Sequence, residues 1–278
     1  MIAESTHDPE ERTMTYTPDT PIHTRSSLAA EFERAGLKAG MAVIVHSSLR
    51  QIGGWVCGGA EAVVLALMDA LTPEGTLLMP TFTTNNTEPR YWQRPPVPAE
   101  WWPVIRAHMP AYDPQRSITR QMGAIVEAFR TFPGVQRSAH PILSFAAWGQ
   151  HAAYLLQPTP LEAGFGEDSP LARLYALEGW VLLLGVGHSN NSSLHLAEHR
   201  TRRPPVMVSE GCAMLVDGQR QWVEFHEIDY DDTPFEQIGR DYEAQHGVRL
   251  GQVGAAVTRL MPMRPLVDFA AQWLDARG

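Results

Sequence analysis

The spacing of hydrophobic and polar positions changes repeatedly along the chain, and each change predicts an element. TRSSLAAEFERAGL, residues 24–37, sets hydroxyl caps before apolar residues at helical spacing and ends near Gly36, which predicts the first helix. MAVIVHSSL is a short β-branched run, the pattern of a buried strand, and GAEAVVLALMDAL follows as a helix with one buried face. GTLLMPTF supplies another strand. Strand, helix and strand within residues 41–82 imply a parallel crossover and an α/β fold.

Residues 84–118 interrupt this order. They are rich in proline, tryptophan and arginine, too polar for core and too long for a simple connection, as functional loops commonly are. MGAIVEAFRTF resumes a helix, SFAAWG reads as a strand, and WVLLLGVG as a strongly buried strand leading into HSNNSSLHLAEHRTR. Two alternating runs around Asp217 and Gly218 predict a β-hairpin. FEQIGRDYEAQHG and LVDFAAQWLDAR close the chain as amphipathic helices, with GQVGAAVTRLM between them as strand or turn. Residues 1–23 are polar and aperiodic, a pattern that predicts a disordered leader before one domain over 24–278.

Composition narrows the possibilities. A chain of 278 residues, 44% hydrophobic, can bury a substantial core. It has no apolar run near the roughly 20 residues a membrane helix requires, and its start lacks a secretory pattern. A cytoplasmic protein without a membrane partner is expected. The formal net charge of −9 argues against nucleic acid and suits a cationic partner. Cys57 and Cys212 are too few for a disulfide framework or a cysteine zinc site.

HSNNSSLHLAEHR holds the main chemical candidates, because α/β folds place ligands at the carboxyl ends of their strands. Ser192 or Ser193 can cap a helix that sets His195 and Glu198 three apart on one face, with His199 a turn beyond. A helix start disfavours the charged imidazole and leaves a ring nitrogen free to accept a proton, while Glu198 can orient the ring as carboxylates do beside catalytic histidines. The same letters match H-x-x-E-H, in which both histidines bind zinc and a third ligand comes from elsewhere. A capped helix with solvated charges also fits.

Two further segments carry possible binding chemistry. Gly53, Gly54, Gly58 and Gly59 bring backbone amides to a helix start, a setting for phosphate, although the order is neither a P-loop nor the dinucleotide fingerprint and also suits a plain turn. EFHEIDYDDTPFE gathers Glu224, Glu227, Asp229, Asp231, Asp232 and Glu236, which would attract ammonium groups or simply form a solvated edge; Asp113 is a similar case. Trp92, Trp101 and Trp102 suit packing anchors or binding walls.

The order of these motifs resembles the aminoglycoside 3-N-acetyltransferase family, which is distinct in fold from the GNAT acetyltransferases. The resemblance runs from about residue 24 to the end through VHSSL, GGWVCGGAEAVV, EGTLLMPTFT, YDPQRS, RSAHPILSFAAWGQHA, GEDSPLARLYAL and VLLLGVGHSNNSSLHLAEHR. It implies a three-layer α/β/α sandwich-like fold with a mixed central sheet and an added antiparallel hairpin. It implies acetyl-CoA as donor, the 3-amine of 2-deoxystreptamine aminoglycosides as acceptor, antibiotic resistance as outcome, and no metal. His195 then matches the catalytic histidine and Glu198 its acidic neighbour. His46, Ser47, Ser48, Val56, Gly58, Gly59 and Ala60 match coenzyme-lining segments, with Ser117, Ile118 and Ser169 as further candidates. Asp113, Glu224, Asp229, Asp231, Asp232 and Glu236 fall where the cationic antibiotic is faced. The leader, Cys57 and the 88–103 insertion depart from the pattern. A zinc hydrolase and a noncatalytic binding protein are the competing readings.

Overall fold

The structure, a computed structural model, describes residues 16–277; residues 1–15, most of the expected leader, lie outside the described residues. In chain order the first half contains β1 (Ile22–His23), α1 (Arg25–Ala35), β2 (Ala42–Ser47), α2 (Leu49–Ile52), β3 (Trp55–Val56), α3 (Gly59–Leu71), β4 (Thr76–Pro80), α4 (Trp102–His108) and α5 (Ala124–Phe129). There follow β5 (Gln136–Arg137), β6 (Phe145–Gly149), α6 (Ala152–Leu155), α7 (Pro170–Ala176), β7 (Trp180–Leu184) and α8 (His195–Glu198). The hairpin β8 (Met207–Val216) and β9 (Gln219–Ile228) comes next, then α9 (Phe235–His246), β10 (Arg249–Val253), β11 (Ala256–Pro262) and α10 (Met263–Arg277).

A seven-stranded sheet has the order β10-β11-β7-β2-β4-β6-β5. Its centre is parallel, since β2 pairs in that sense with both β4 and β7, while β6 and β11 run antiparallel on the flanks. The central strands read as unbroken apolar runs because both faces are covered. Alternation sends Val43, Val45, Leu182 and Leu184 toward Phe32, Val63, Leu67 and Phe129 of α1, α3 and α5. Ile44, Val181 and Leu183 enter the opposite core with Leu171, Leu174, Leu196, Phe235, Ile238 and Leu266. The expected three-layer α/β/α arrangement with a mixed sheet is therefore present, and β8–β9 forms the separate antiparallel hairpin.

Three details differ from the sequence expectation. Ile22–His23, at the end of the presumed leader, pair in parallel with Trp55–Val56, because an extended chain there meets the free edge of the glycine turn. The helix over MGAIVEAFRTF is confined to Ala124–Phe129, whereas GQVGAAVTRLM supplies strand as expected, in the β10–β11 hairpin. The long 84–118 segment carries α4 and short 3₁₀ turns. Glu88 fixes it: this carboxylate is buried and accepts from Arg90 Nε at 3.0 Å and Arg106 Nε at 3.0 Å. None of the described helices is long and apolar enough to cross a membrane.

Candidate active site

β2 lies between parallel neighbours, and chain segments leave the carboxyl ends of β2, β4 and β7 on one rim, the usual place for a ligand in such a sheet. The segment after β7 is anchored from below. His188 packs so closely on Gly239 of α9 that a Cβ there would lie 1.9 Å from its ring, and its Nε2 meets Glu243 Oε1 at 2.9 Å. Glu243 also accepts from Arg259 Nε at 2.9 Å, which ties the segment to β11. Helix then begins as the 3₁₀ turn Ser192–Leu194, continuing into α8. Its cap is Asn191, whose side chain accepts from Ser193 N at 3.2 Å, and neither expected serine supplies it. The helix is too short for a long aligned dipole, so the orientation of His195 rests on side-chain contacts.

Those contacts are tight. His195 Nδ1 and Glu198 Oε2 are 2.5 Å apart, and Glu198 Oε1 accepts from Asp231 N at 2.9 Å. With the carboxylate as acceptor, Nδ1 carries the proton and Nε2 presents a lone pair. The imidazole lies flat on Phe165, centroids 4.5 Å apart and planes 2° apart, while Phe235 and Tyr230 close its edges at 4.7 Å and 5.2 Å. Three aromatic neighbours and one carboxylate thus fix ring plane and tautomer together. Phe165, Tyr230 and Phe235 were not singled out in the sequence; aromatic residues flanking GEDSP and the acidic run were the available signal.

A second group of buried polar side chains supports that wall. Glu227 accepts from Gly164 N at 3.2 Å, and the next amide, Phe165 N, donates to Tyr230 Oη at 3.4 Å. Burial, with the charges of Glu210 and Glu162, pushes the Glu227 carboxyl up to about 8 against the Gly164 amide and Tyr230, which pull it down. His140 Nδ1 accepts from Leu143 N at 2.9 Å, and burial lowers its pKa to about 4. Tyr230 Oη also meets His199 Nε2 at 2.8 Å. On β2, His46 faces the His195 side of the sheet, and burial followed by the positive charge His195 can carry depresses it to about 3. His46 Nε2 and Ser193 Oγ are buried without a hydrogen-bond partner among the described residues.

Beside this group opens a cleft of about 750 Å³, whose lining includes Ser47, Ser48, Val56, Gly59, Val186 and Asn190. It fits an anionic, elongated donor for two reasons. α3 begins at Gly58 and Gly59, with φ of +86° and +55°, and has no side-chain cap, so orphan amides at the start of a 13-residue helix are available to phosphate. Ser47 Oγ at the same cleft is buried without a hydrogen-bond partner among the described residues. Gly58 and Ala60 flank the lining; His46 lies behind it. Ile118 is exposed, and Ser117 Oγ is taken by Asp113 N at 3.0 Å. Ser169 is not brought to the cleft: it is fully buried and its hydroxyl caps α7 by accepting from Ala172 N at 3.3 Å.

The acidic segment divides. Asp229, Asp231 and Asp232 are exposed, with Asp231 Oδ1 accepting from Thr233, while Glu236 Oε2 accepts from Ser189 N at 3.2 Å. Glu224 is exposed on β9 near Arg106, and Glu227 is buried. Asp113 is held in its own turn and paired with Arg116 Nε at 2.9 Å. Trp101 is exposed, unlike the anchor its type suggests. Among the described residues no group of three His, Cys, Asp or Glu side chains is disposed to hold a metal, so the third ligand of the zinc reading is not assembled there.

The histidine paired with a carboxylate and the cleft with free helix amides lie in a chain of the acyltransferase class. The chain belongs to the aminoglycoside 3-N-acetyltransferase family, whose profile matches residues 44–275. It is 45% identical over 251 residues, 90% of this chain and 92% of the other, to the SPbeta prophage-derived aminoglycoside N(3')-acetyltransferase-like protein YokD of Bacillus subtilis. The crystal structure of YokD superposes with a TM-score of 0.90, at 43% identity, covering 93% of this chain and 97% of that one. Aminoglycoside N(3)-acetyltransferase III of Pseudomonas aeruginosa is 38% identical over 92% of this chain and 94% of its own length. AAC-IIIb, solved as a binary complex with CoASH, gives a TM-score of 0.82 at 32% identity, covering 92% of this chain and 98% of that one.

Proposed function

We propose that this chain is an antibiotic-resistance enzyme that moves the acetyl group of acetyl-CoA to the 3-amine of 2-deoxystreptamine aminoglycosides, with His195 as general base. The observation that carries this reading is the 2.5 Å His195–Glu198 pair beside a cleft with uncapped helix amides, in a chain of this family. The neutral amine attacks the thioester carbonyl as His195 Nε2 takes its proton; a C–N bond forms, the carbonyl oxygen becomes anionic, and the C–S bond then breaks. The proton passes from His195 to the departing sulfur, so no acyl-enzyme forms. Glu198 holds the Nδ1 proton and stabilises the imidazolium.

In the same reading Ser47, Ser48, Val56, Gly58, Gly59 and Ala60 line the coenzyme, His46 backs it, and Asp229, Asp231, Asp232 and Glu236 attract the polycation. Glu224 and Asp113 are outer contributors at most, because each has an arginine beside it. Residues 24–278 act as the catalytic domain, 84–118 as a substrate-side element, and the cytoplasm as the compartment. Thiol release from acetyl-CoA across an aminoglycoside panel, with product mapping by NMR, tests the proposal. Acetylation at the 3-amine is expected; no turnover with any member, or modification only elsewhere, would refute it.

A further inference from the structure

Of the aromatic rings of Phe165, Tyr230 and Phe235 around His195, only that of Phe165 lies parallel to the imidazole, with planes 2° apart and centroids 4.5 Å apart. Tyr230 and Phe235 meet it at 66° and 62°, as edge contacts. The difference matters because a benzene ring is negative over its face and positive at its edge. A cation above such a face is attracted within about 6 Å of the centroid, most strongly where water is kept away. Phe165 is only 2% exposed. It is also held from several sides. Phe82, just beyond β4, and Phe145, at the start of β6, meet its ring at 5.4 Å and 6.3 Å and touch each other at 5.5 Å. Its backbone N–H donates to Tyr230 Oη at 3.4 Å, and Gly164 before it packs so closely that a Cβ there would lie 2.6 Å from Leu143 Cδ1. The phenyl face is thereby kept against the imidazole.

A base that takes a proton from an attacking amine becomes a cation in the transition state, and only interactions that strengthen there raise the rate of the chemical step. Glu198 supplies one such interaction at Nδ1. The face of Phe165 supplies another of a different kind, since it attracts an imidazolium more than a neutral imidazole and yet carries no charge. That distinction counts when the acceptor is a polycation: a second carboxylate against His195 would attract the ammonium groups of the antibiotic as well as the ring, whereas a phenyl face offers them far less. We propose that Phe165 is a positioning residue for acetyl transfer, whose π face stabilises His195 as it becomes an imidazolium. The inference rests on the reading of His195 as general base.

Replacing Phe165 in the full chain by mono-, di- and trifluorinated phenylalanine tests the proposal, because each fluorine weakens the negative face while the ring nearly keeps its shape. Single-turnover acetyl transfer from acetyl-CoA to an aminoglycoside is expected to slow stepwise along the series, to about tenfold below the parent rate, a change within the range of a desolvated cation–π contact. Thermal melts, and the affinities for both substrates measured by calorimetry, should stay at the parent values. Phe165→Leu, which fills the space without a π face, should lose at least as much in rate. A rate that is flat across the fluorinated series, or that follows the melting temperature and not the fluorine count, would overturn the assignment and leave the acetyltransferase reading intact. Full activity in His195→Ala would instead overturn the general-base reading, and this inference with it.

Discussion

Two sets of carboxylates meet where Asp231 N donates to Glu198 Oε1, and they lie in opposite surroundings. Glu198 and Glu227 are enclosed, one against the His195 ring and the other under the Gly164–Phe165 turn, whereas Asp229, Asp231 and Asp232 stand in solvent. The difference originates in strand periodicity. On β9 the side chains of Phe225 and Glu227 turn inward while Glu224 and His226 turn outward, and the chain leaves the sheet before Asp229. An enclosed carboxylate interacts strongly with its neighbours and fixes geometry; an exposed one acts through a screened field and changes how often a cation arrives and how long it stays. In the proposed mechanism, chemistry falls to Glu198 of the enclosed set and affinity to the exposed set.

The largest effect should come from the enclosed side. His195→Ala is expected to lower turnover by a factor of about 10² or more, the usual scale for a lost general base. A folded His199→Gln variant is expected to keep substantial activity, because His199 Nε2 is engaged by Tyr230 Oη. Acetyl-transfer rates for both purified variants check this, and equal losses would erase the distinction between the two histidines.

A smaller effect concerns Glu227 and pH. Burial raises its carboxyl to about 8, so the folded chain holds that proton more tightly than the unfolded one does. Its contribution to stability is complete below the ordinary carboxylate range and is lost as pH rises through about 8. Glu227→Gln keeps a neutral acceptor for Gly164 N, and should melt at least about 2–4 °C above the parent protein at pH 8, with a smaller gain at pH 5. Thermal melts across that range measure the difference; a gain that does not depend on pH would show that Glu227 does not titrate in this interval.

The smallest effect belongs to the exposed set. Raising salt should weaken the apparent affinity for an aminoglycoside, while removing one of Asp229 or Asp232 should raise its KM about two- to fivefold, as expected for exposed charge pairs. Steady-state kinetics at two ionic strengths tests both, and salt-independent KM values would assign the segment to plain surface.

Much of this arrangement was legible in the sequence where one physical rule acted alone. Unbroken apolar runs marked β2, β4 and β7, the Asp217–Gly218 turn marked the hairpin, and the three-residue spacing of His195 and Glu198 marked their contact. The remainder depended on contacts between distant segments. Nothing local distinguishes buried Glu227 from its exposed neighbours without the register of β9, and the role of Phe165 exists only once His195 stacks on it. Ser169, a coenzyme candidate from the resemblance alone, lies buried in the fold with its hydroxyl capping α7, a placement that its sequence neighbours did not mark. The insertion looked like an open loop because its fixing carboxylate, Glu88, pairs with Arg106, 18 residues on.

The central claim is the division of labour between the two sets of carboxylates, and one pair of variants measures it directly. Steady-state acetyl transfer by Glu198→Gln and by Asp229→Asn/Asp232→Asn, assayed side by side at one salt concentration, separates kcat from the KM for the aminoglycoside. The account predicts that Glu198→Gln loses about tenfold or more in kcat with little change in KM, whereas the paired aspartate variant raises KM and keeps kcat. A Glu198→Gln enzyme impaired only in KM, or a paired aspartate variant impaired chiefly in kcat, would contradict it.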